Sequence, residues 1–202
     1  MEGNSNNKLD LIKDKKLTHA ETSKEIEFQS LWLDIEADSL VYVMFFRNWG
    51  WMFCKAGAMD LCKTYTKINS SFPGKLKLIG IGLELIGYED FKKGKFFGEH
   101  DVYIDKNKGI YKALKMKRPG CLSCWGFCNK QVFAKKKDID KNYADQKLGM
   151  SVDFKKDLFQ MGGSLLISPK GLIILEHIDA FYGDHVKEED LMEACRNYFQ
   201  EE

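Results

Sequence analysis

The hydrophobic and polar positions change period several times along the chain, and each change marks an element. Residues 39–47, SLVYVMFFR, are apolar on both faces, with Leu40, Tyr42, Met44 and Phe46 alternating with Val41, Val43 and Phe45. Such a strand has to be covered on both sides, so it is predicted to lie centrally in a sheet with helices above and below. From Cys54 the apolar positions fall at 54, 58, 61, 65 and 68, the three-and-four spacing of a helix face. SSFPGK (70–75) ends that helix, and KLKLIGIG (75–82) reads as a second strand. A short helix is predicted in YEDFKKGKFF (88–97), a third strand in HDVYID (100–105), and a helical turn or two in KGIYKAL (108–114). GGSLLIS (162–168) and LIILEHI (172–178), joined by Pro169-Lys170-Gly171, have the turn chemistry of a hairpin. EEDLMEACRNYF (188–199) closes the chain as a helix with Leu191, Ala194, Cys195 and Tyr198 inward.

Two stretches carry no period. Residues 1–25 are polar and patternless, which predicts a flexible N-terminal tail. EIEFQSLW (25–32) alternates weakly, as an edge strand or a short turn. Residues 116–160 are lysine-rich and aperiodic, and are expected to be an irregular insert within a domain spanning 26–202. The resulting order is β-α-β-α-β-α, an insert, then β-β-α, which predicts an α/β fold: a mixed sheet flanked by helices on both faces.

Composition narrows the function classes. The chain has 202 residues, 44% of them hydrophobic, enough for one full core. Charged residues make up 30% and nearly cancel at +1, so bulk electrostatics give no reason to expect nucleic acid. The run AKKKD (134–138) reads as solvated loop. No stretch approaches the roughly 20 apolar residues of a transmembrane segment, and the N-terminus lacks the apolar region of a secretory signal. The expectation is a cytoplasmic protein. In a reducing compartment its six cysteines are free thiols, catalytic groups or metal ligands more than a disulfide framework.

Cys54 is the first candidate for chemistry. Asn48 and Gly50 turn the chain out of the first central strand, and Cys54 follows at a helix start. There a thiol meets roughly half a positive charge and several unpaired N–H groups, which favours the thiolate, the nucleophilic form. Arg47 and Lys55 add positive charge nearby in sequence. The opposing reading is also physical: Cys54 heads the apolar stripe, and free cysteine is among the most buried residue types. A second cluster, RPGCLSCWGFCNK (118–130), holds Cys121, Cys124 and Cys128. Its C-x-x-C suits a disulfide or half a zinc site, but no fourth ligand lies at local spacing and no metal is assigned. A loop packing its cysteines, Trp125 and Phe127 against the body, or against a partner, fits equally. Cys62 cannot pair with Cys54, because eight helical residues rise about 12 Å and bridged Cα atoms lie at most about 7 Å apart.

Five pieces in this order carry a family resemblance: FFRNWGWMFC (45–54), LIGIGLELIGYEDF (78–91), FFGEHDVYIDKNKGIYKALKMKR (96–118), DLFQMGGSLLISPKG (157–171) and GDHVKEEDLMEA (183–194). With them the chain resembles the peroxiredoxin-like 2 family of the thioredoxin-like superfamily, most of all its prostaglandin F-forming members. The resemblance implies a thioredoxin-like, peroxiredoxin-like fold and a reactive site between the first central strand and the following helix. It also implies that Gly162 and Gly163 bring backbone next to the active cysteine. Glu84, at a strand end on the same sheet edge, joins Arg47 and Trp49 as a candidate site-lining residue. His177 and His185 receive no role.

The chain departs from the family at the site itself: where the family has C-x-x-C, it has Trp51-Met52-Phe53-Cys54. Related peroxiredoxins use T-x-x-C, whose last residue attacks the peroxide, so the surviving cysteine has a precedent. The resemblance therefore implies an oxidoreductase, a thiol-dependent reductase of peroxides or lipid endoperoxides such as prostaglandin H2, with Cys54 as nucleophile. No cofactor would be bound; NADPH or thioredoxin would supply electrons, and Cys121 or Cys124 are candidates to resolve the oxidised sulfur. The alternative is a redox-inactive binding module, favoured by Trp51 in the place of the first cysteine.

Overall fold

The computed structural model describes residues 6–116, 130–146, 148 and 160–200. In chain order the elements are α1 (Asn6–Asp10), β1 (Lys16–His19), β2 (Glu25–Glu27), α2 (Ser30–Leu33), β3 (Leu40–Phe45), α3 (Met52–Ser71) and β4 (Leu76–Gly82). They continue with α4 (Tyr88–Lys93), β5 (Asp101–Ile104), α5 (Gly109–Ala113), α6 (Lys130–Asn142), β6 (Gly163–Ile167), β7 (Ile173–Ile178) and α7 (Glu188–Gln200).

The strands form a seven-stranded mixed sheet in the order β2-β1-β5-β4-β3-β6-β7. β3 pairs in parallel with β4, which pairs in parallel with β5. On its other side β3 pairs antiparallel with β6, and β6 with β7. The two-sided apolar pattern of β3 is used as its alternation predicts. Leu40, Tyr42, Met44 and Phe46 join one core with residues of α3 and α7, while Val41, Val43 and Phe45 join the other with Phe28, Trp32 and Tyr111.

The described part of the expected tail is structured instead. Leu9, Ile12 and Leu17 are buried in the second core, and β1 extends the sheet through Thr18↔Ile104 and His19↔Tyr103. Three apolar side chains spread over nine residues have no local period, so only the sheet they pack against reveals them. The segment 116–160 was read as irregular, yet it contains the 13-residue α6, whose buried side chains are Val132 and Ile139. Two inward positions among lysines set no helical stripe. β2 is the edge strand that EIEFQSLW suggested, followed by the short α2.

One buried hydroxyl ties the sheet to the site. Tyr111, from α5, shares its proton between the carbonyls of Phe46, at 2.7 Å, and Ile81, at 2.8 Å. Phe46 is the last residue before Arg47, so the clamp fixes the place where the chain leaves the sheet. Tyr111→Phe is expected to take the hydroxyl from the Phe46 carbonyl, while Ile81 O keeps the Phe46 N–H, and to cost about 1–3 kcal/mol, read as a lower urea midpoint with an unchanged m-value.

Candidate functional site

The site starts where β3 ends. Phe46 N–H donates to Ile81 O at 2.7 Å, and then the chain turns. Asn48 Oδ1 accepts the Gly50 N–H at 2.9 Å, a side chain doing the work of a backbone turn. Trp51 caps α3 in extended backbone with no capping side-chain bond. The Lys55 N–H to Trp51 O bond, at 3.0 Å, closes the first turn. Cys54 is the third residue of α3, so its thiol stands in a turn whose N–H groups have no capping acceptor from the Trp51 side chain.

Cys54 is 4% exposed. It faces a closed cavity of about 10 Å³, whose walls include Arg47, Met161, Asp179, Tyr182 and His185. That volume is at the lower limit for one water molecule. Arg47 is itself buried, its guanidinium carbon 3.5 Å from the ring centre of Trp51 and 4.0 Å from that of Tyr182. The two rings meet edge to face at 5.4 Å. Neither terminal nitrogen of Arg47 has a hydrogen-bond partner among the described residues. Burial lowers the Arg47 pKa, and the neighbouring Cys54, Tyr182 and Asp179 oppose that shift. An arginine keeps its proton even so, and its charge acts on the thiol.

Asp179 and His185 complete the enclosure. Asp179 is 7% exposed, and its Oδ1 accepts no hydrogen bond from a described residue. Burial pushes its carboxyl well above the ordinary carboxylate range; the charge of Asp184 adds to this, while Arg47 and a backbone bond from Gly162 oppose it. His185 Nε2 lies 3.1 Å from the Phe53 carbonyl, which makes Nε2 the protonated nitrogen and leaves the lone pair on Nδ1. Nδ1 stands 4.0 Å from Asp179 Oδ2, an unfavourable facing of lone pairs for a carboxylate and a natural one for a neutral carboxyl. Burial holds the imidazole at about 4, neutral at physiological pH. The ring sits on Gly57, where a Cβ would overlap it. Gly183, at φ +85°, lets the loop carrying Tyr182 and His185 double back over Phe53.

The predicted site residues divide. Arg47 and Trp51 lie at Cys54. Gly162 stands against the Phe45 carbonyl and beside Asp179 Oδ2, where a Cβ would clash with the backbone of β3. Gly163 packs one strand further out, on the backbone of His177 and Ile178. Trp49 and Glu84 do not line the cavity. Trp49 is packed among Phe46, Tyr88 and Phe91, and its indole N–H donates to the Glu84 carbonyl at 2.6 Å. Their contact is a turn lock between the β3 and β4 ends, built on backbone and not on the Glu84 carboxylate. Cys121, Cys124 and Cys128 lie outside the described residues. Burial pushes Cys62 up to about 11 and Cys195 up to about 12, which keeps both as thiols. Among the described residues no three His, Cys, Asp or Glu side chains could jointly hold a metal.

The sequence pattern does not single out Asp179 or Tyr182 and assigns His185 no role. Their only signal is the density of polar and aromatic residues in DAFYGDH (179–185), a loop between two clear elements. Beside this cavity runs a groove of about 460 Å³, lined by Tyr42, Met44, Leu61 and Leu191 and by charged residues of both signs, Lys63, Lys67, Asp60 and Glu188 among them. Met44 and His185 line both spaces.

Comparison with known proteins agrees with this geometry. The family model of the AhpC/TSA antioxidant enzyme matches residues 60–180, a span that begins after Cys54. Prostamide/prostaglandin F synthase of Aquarana catesbeiana is 33% identical over 87% of this chain and 82% of its own. The Homo sapiens protein of the same name is 30% identical, over 88% and 84%. In fold the chain is similar to Xanthomonas campestris peroxiredoxin Q, with a TM-score of 0.57 at 11% identity, covering 94% of each chain. It is also similar to a reduced 2-Cys peroxiredoxin of Plasmodium vivax, with a TM-score of 0.53 at 12% identity, covering 90% of this chain and 75% of the other.

Gly57 tests the seat of His185. In a helix interior Ala is favoured over Gly by about 1 kcal/mol, but overpacking costs about 1–3 kcal/mol, and here the added methyl meets a ring held by a hydrogen bond. Gly57→Ala is expected to destabilise the protein, and Gly57→Ala combined with His185→Ala to recover the loss. Thermal unfolding of the two variants measures this; equal melting temperatures would place His185 elsewhere.

Proposed function

The chain belongs to the AhpC/TSA antioxidant enzyme family, a family of thiol-dependent reductases with a peroxiredoxin-like thioredoxin fold, and from that premise we propose that it reduces peroxides or lipid endoperoxides with Cys54 as the nucleophile. The observation that carries the proposal is the pairing of Cys54 with a buried guanidinium whose terminal nitrogens have no other partner among the described residues. A charge out of water acts more strongly than one at the surface, and a cysteine attacks oxygen as its thiolate.

The thiolate attacks one oxygen of the O–O bond. The other oxygen departs with the bonding pair, and the sulfur becomes a sulfenic acid or, from an endoperoxide, a sulfenate ester. An external thiol then displaces that oxygen and a second thiol frees Cys54. In a cytoplasmic setting thioredoxin, supplied by NADPH, fits this role; Cys121 or Cys124 would serve if the cluster reaches the site.

The cavity selects among substrates. Room for about one water admits a small peroxide with little movement, whereas a lipid endoperoxide needs the partition at His185 to open toward the groove. The relatives named prostamide/prostaglandin F synthase support the lipid substrate, and the closed cavity supports the small one. The second reading, a redox-inactive binding module, draws on Trp51, which removes the first cysteine of the pair.

Peptide mass spectrometry of the native protein after brief hydrogen peroxide treatment, with trapping of sulfenic acid, separates the two. Cys54 is expected to be oxidised well ahead of Cys62 and Cys195. Arg47→Gln is expected to slow that oxidation about 10²-fold, the usual cost of removing one preorganised charge-stabilising group. A Cys54 that is modified only in urea would establish the binding module.

A further inference from the structure

Resting on the reading of Cys54 as nucleophile, we propose that Asp179 is the general acid that protonates the leaving oxygen when the O–O bond breaks. Three observations carry it. Asp179 lines the same closed cavity as Cys54 and Arg47. Its Oδ1 is shielded from solvent and accepts no hydrogen bond from a described residue. His185 Nδ1, which carries no proton when Nε2 donates to Phe53 O, lies 4.0 Å from Oδ2 and so offers the carboxylate no cation.

Other cavity groups cannot fill the role as placed. Arg47 does not release a proton. His185 has its one N–H committed to the Phe53 carbonyl. Tyr182 turns its ring face to the guanidinium. The groups that face Asp179 are Arg47 after β3, Cys54 on α3, His177 on β7, and Tyr182, Asp184 and His185 in the loop beyond it. Burial and the Asp184 charge favour the neutral acid; the Arg47 charge opposes it.

With a hydroperoxide the step balances as follows. The Cys54 thiolate gives an electron pair to the oxygen that bears hydrogen, and the O–O bond breaks. The other oxygen takes the bonding pair and the Asp179 proton. The products are Cys54 sulfenic acid, an alcohol and the Asp179 carboxylate, so sulfur loses two electrons and the peroxide gains two. Asp179 is 7% exposed, and solvent restores its proton between turnovers.

Ethyl hydroperoxide and peracetic acid, nearly equal in size, test this by their leaving groups. Ethoxide is a strong base that needs a proton; acetate is a weak base that does not. Asp179→Asn is expected to slow oxidation of Cys54 by ethyl hydroperoxide by about 10²-fold or more while leaving the peracetic acid rate within about 3-fold. The wild-type rate with ethyl hydroperoxide is expected to fall as pH rises through the Asp179 titration, since the acid form is the active one, and this fall is absent in Asp179→Asn. Equal slowing of both substrates, or of neither, would overturn the assignment. A variant that fails to fold leaves the wild-type pH profiles of the two substrates to decide: parallel profiles overturn it. Wild-type Cys54 inert to both peroxides would defeat the reductase reading itself and the acid with it.

Discussion

The site depends on a guanidinium taken out of water with no carboxylate within ion-pair distance among the described residues. Burying a charge in this way costs several kcal/mol. Two aromatic faces return part of that, each contact worth about 0.5–2 kcal/mol when desolvated. The balance goes to whichever nearby group can ionise. Two candidates share the cavity with Arg47, and one cation cannot satisfy both. Asp179 is held back by its own burial and by the charge of Asp184. Cys54 is a second cavity group on which the Arg47 charge acts. On the proposed mechanism, nucleophile and acid would be two outcomes of one buried charge.

This gives Trp51 a positive role. At the first position of Trp51-x-x-Cys54, an indole ring centre stands 3.5 Å from the guanidinium carbon. A thiol there would offer no flat face, and Arg47 would lose one of the two rings that hold it. On the proposed reading, Cys54 would then act as a lone nucleophile that draws on thiols from elsewhere.

How much of this was legible follows from where each residue gets its burial. β3 shows in the sequence because both of its faces are covered, so seven alternating apolar residues leave an unambiguous run. α3 shows because its buried positions, from Cys54 to Ile68, repeat at helical spacing. The first 25 residues do not show, because Leu9, Ile12 and Leu17 are buried by distant elements. Asp179 and His185 were illegible for the same reason. Asp179 becomes buried and His185 half-buried only when the loop after β7 folds over Phe53 and Gly57, more than 120 residues away in the chain. Trp49 misled in the opposite way: two residues from Trp51 in sequence, it turns into the first core toward α4, while Trp51 turns to Arg47. Proximity in sequence placed both at the site, and the turn at Asn48 separated them.

The position of His185 links reactivity to access. His185 lines both the Cys54 cavity and the neighbouring groove, its ring held by one hydrogen bond to Phe53 and by contact with a glycine that leaves room for it. The same ring stands beside Asp179. Movement of His185 would therefore enlarge the cavity and admit water to the carboxyl, which weakens the burial that keeps it neutral. On the proposed mechanism, a substrate small enough to enter with the ring in place would meet a dry acid and a dry cation. A bulky lipid would need the movement that wets them, unless its own apolar body replaced the water against Tyr42, Met44, Leu61 and Leu191 in the groove. Substrate size and acid strength would then be coupled through one side chain.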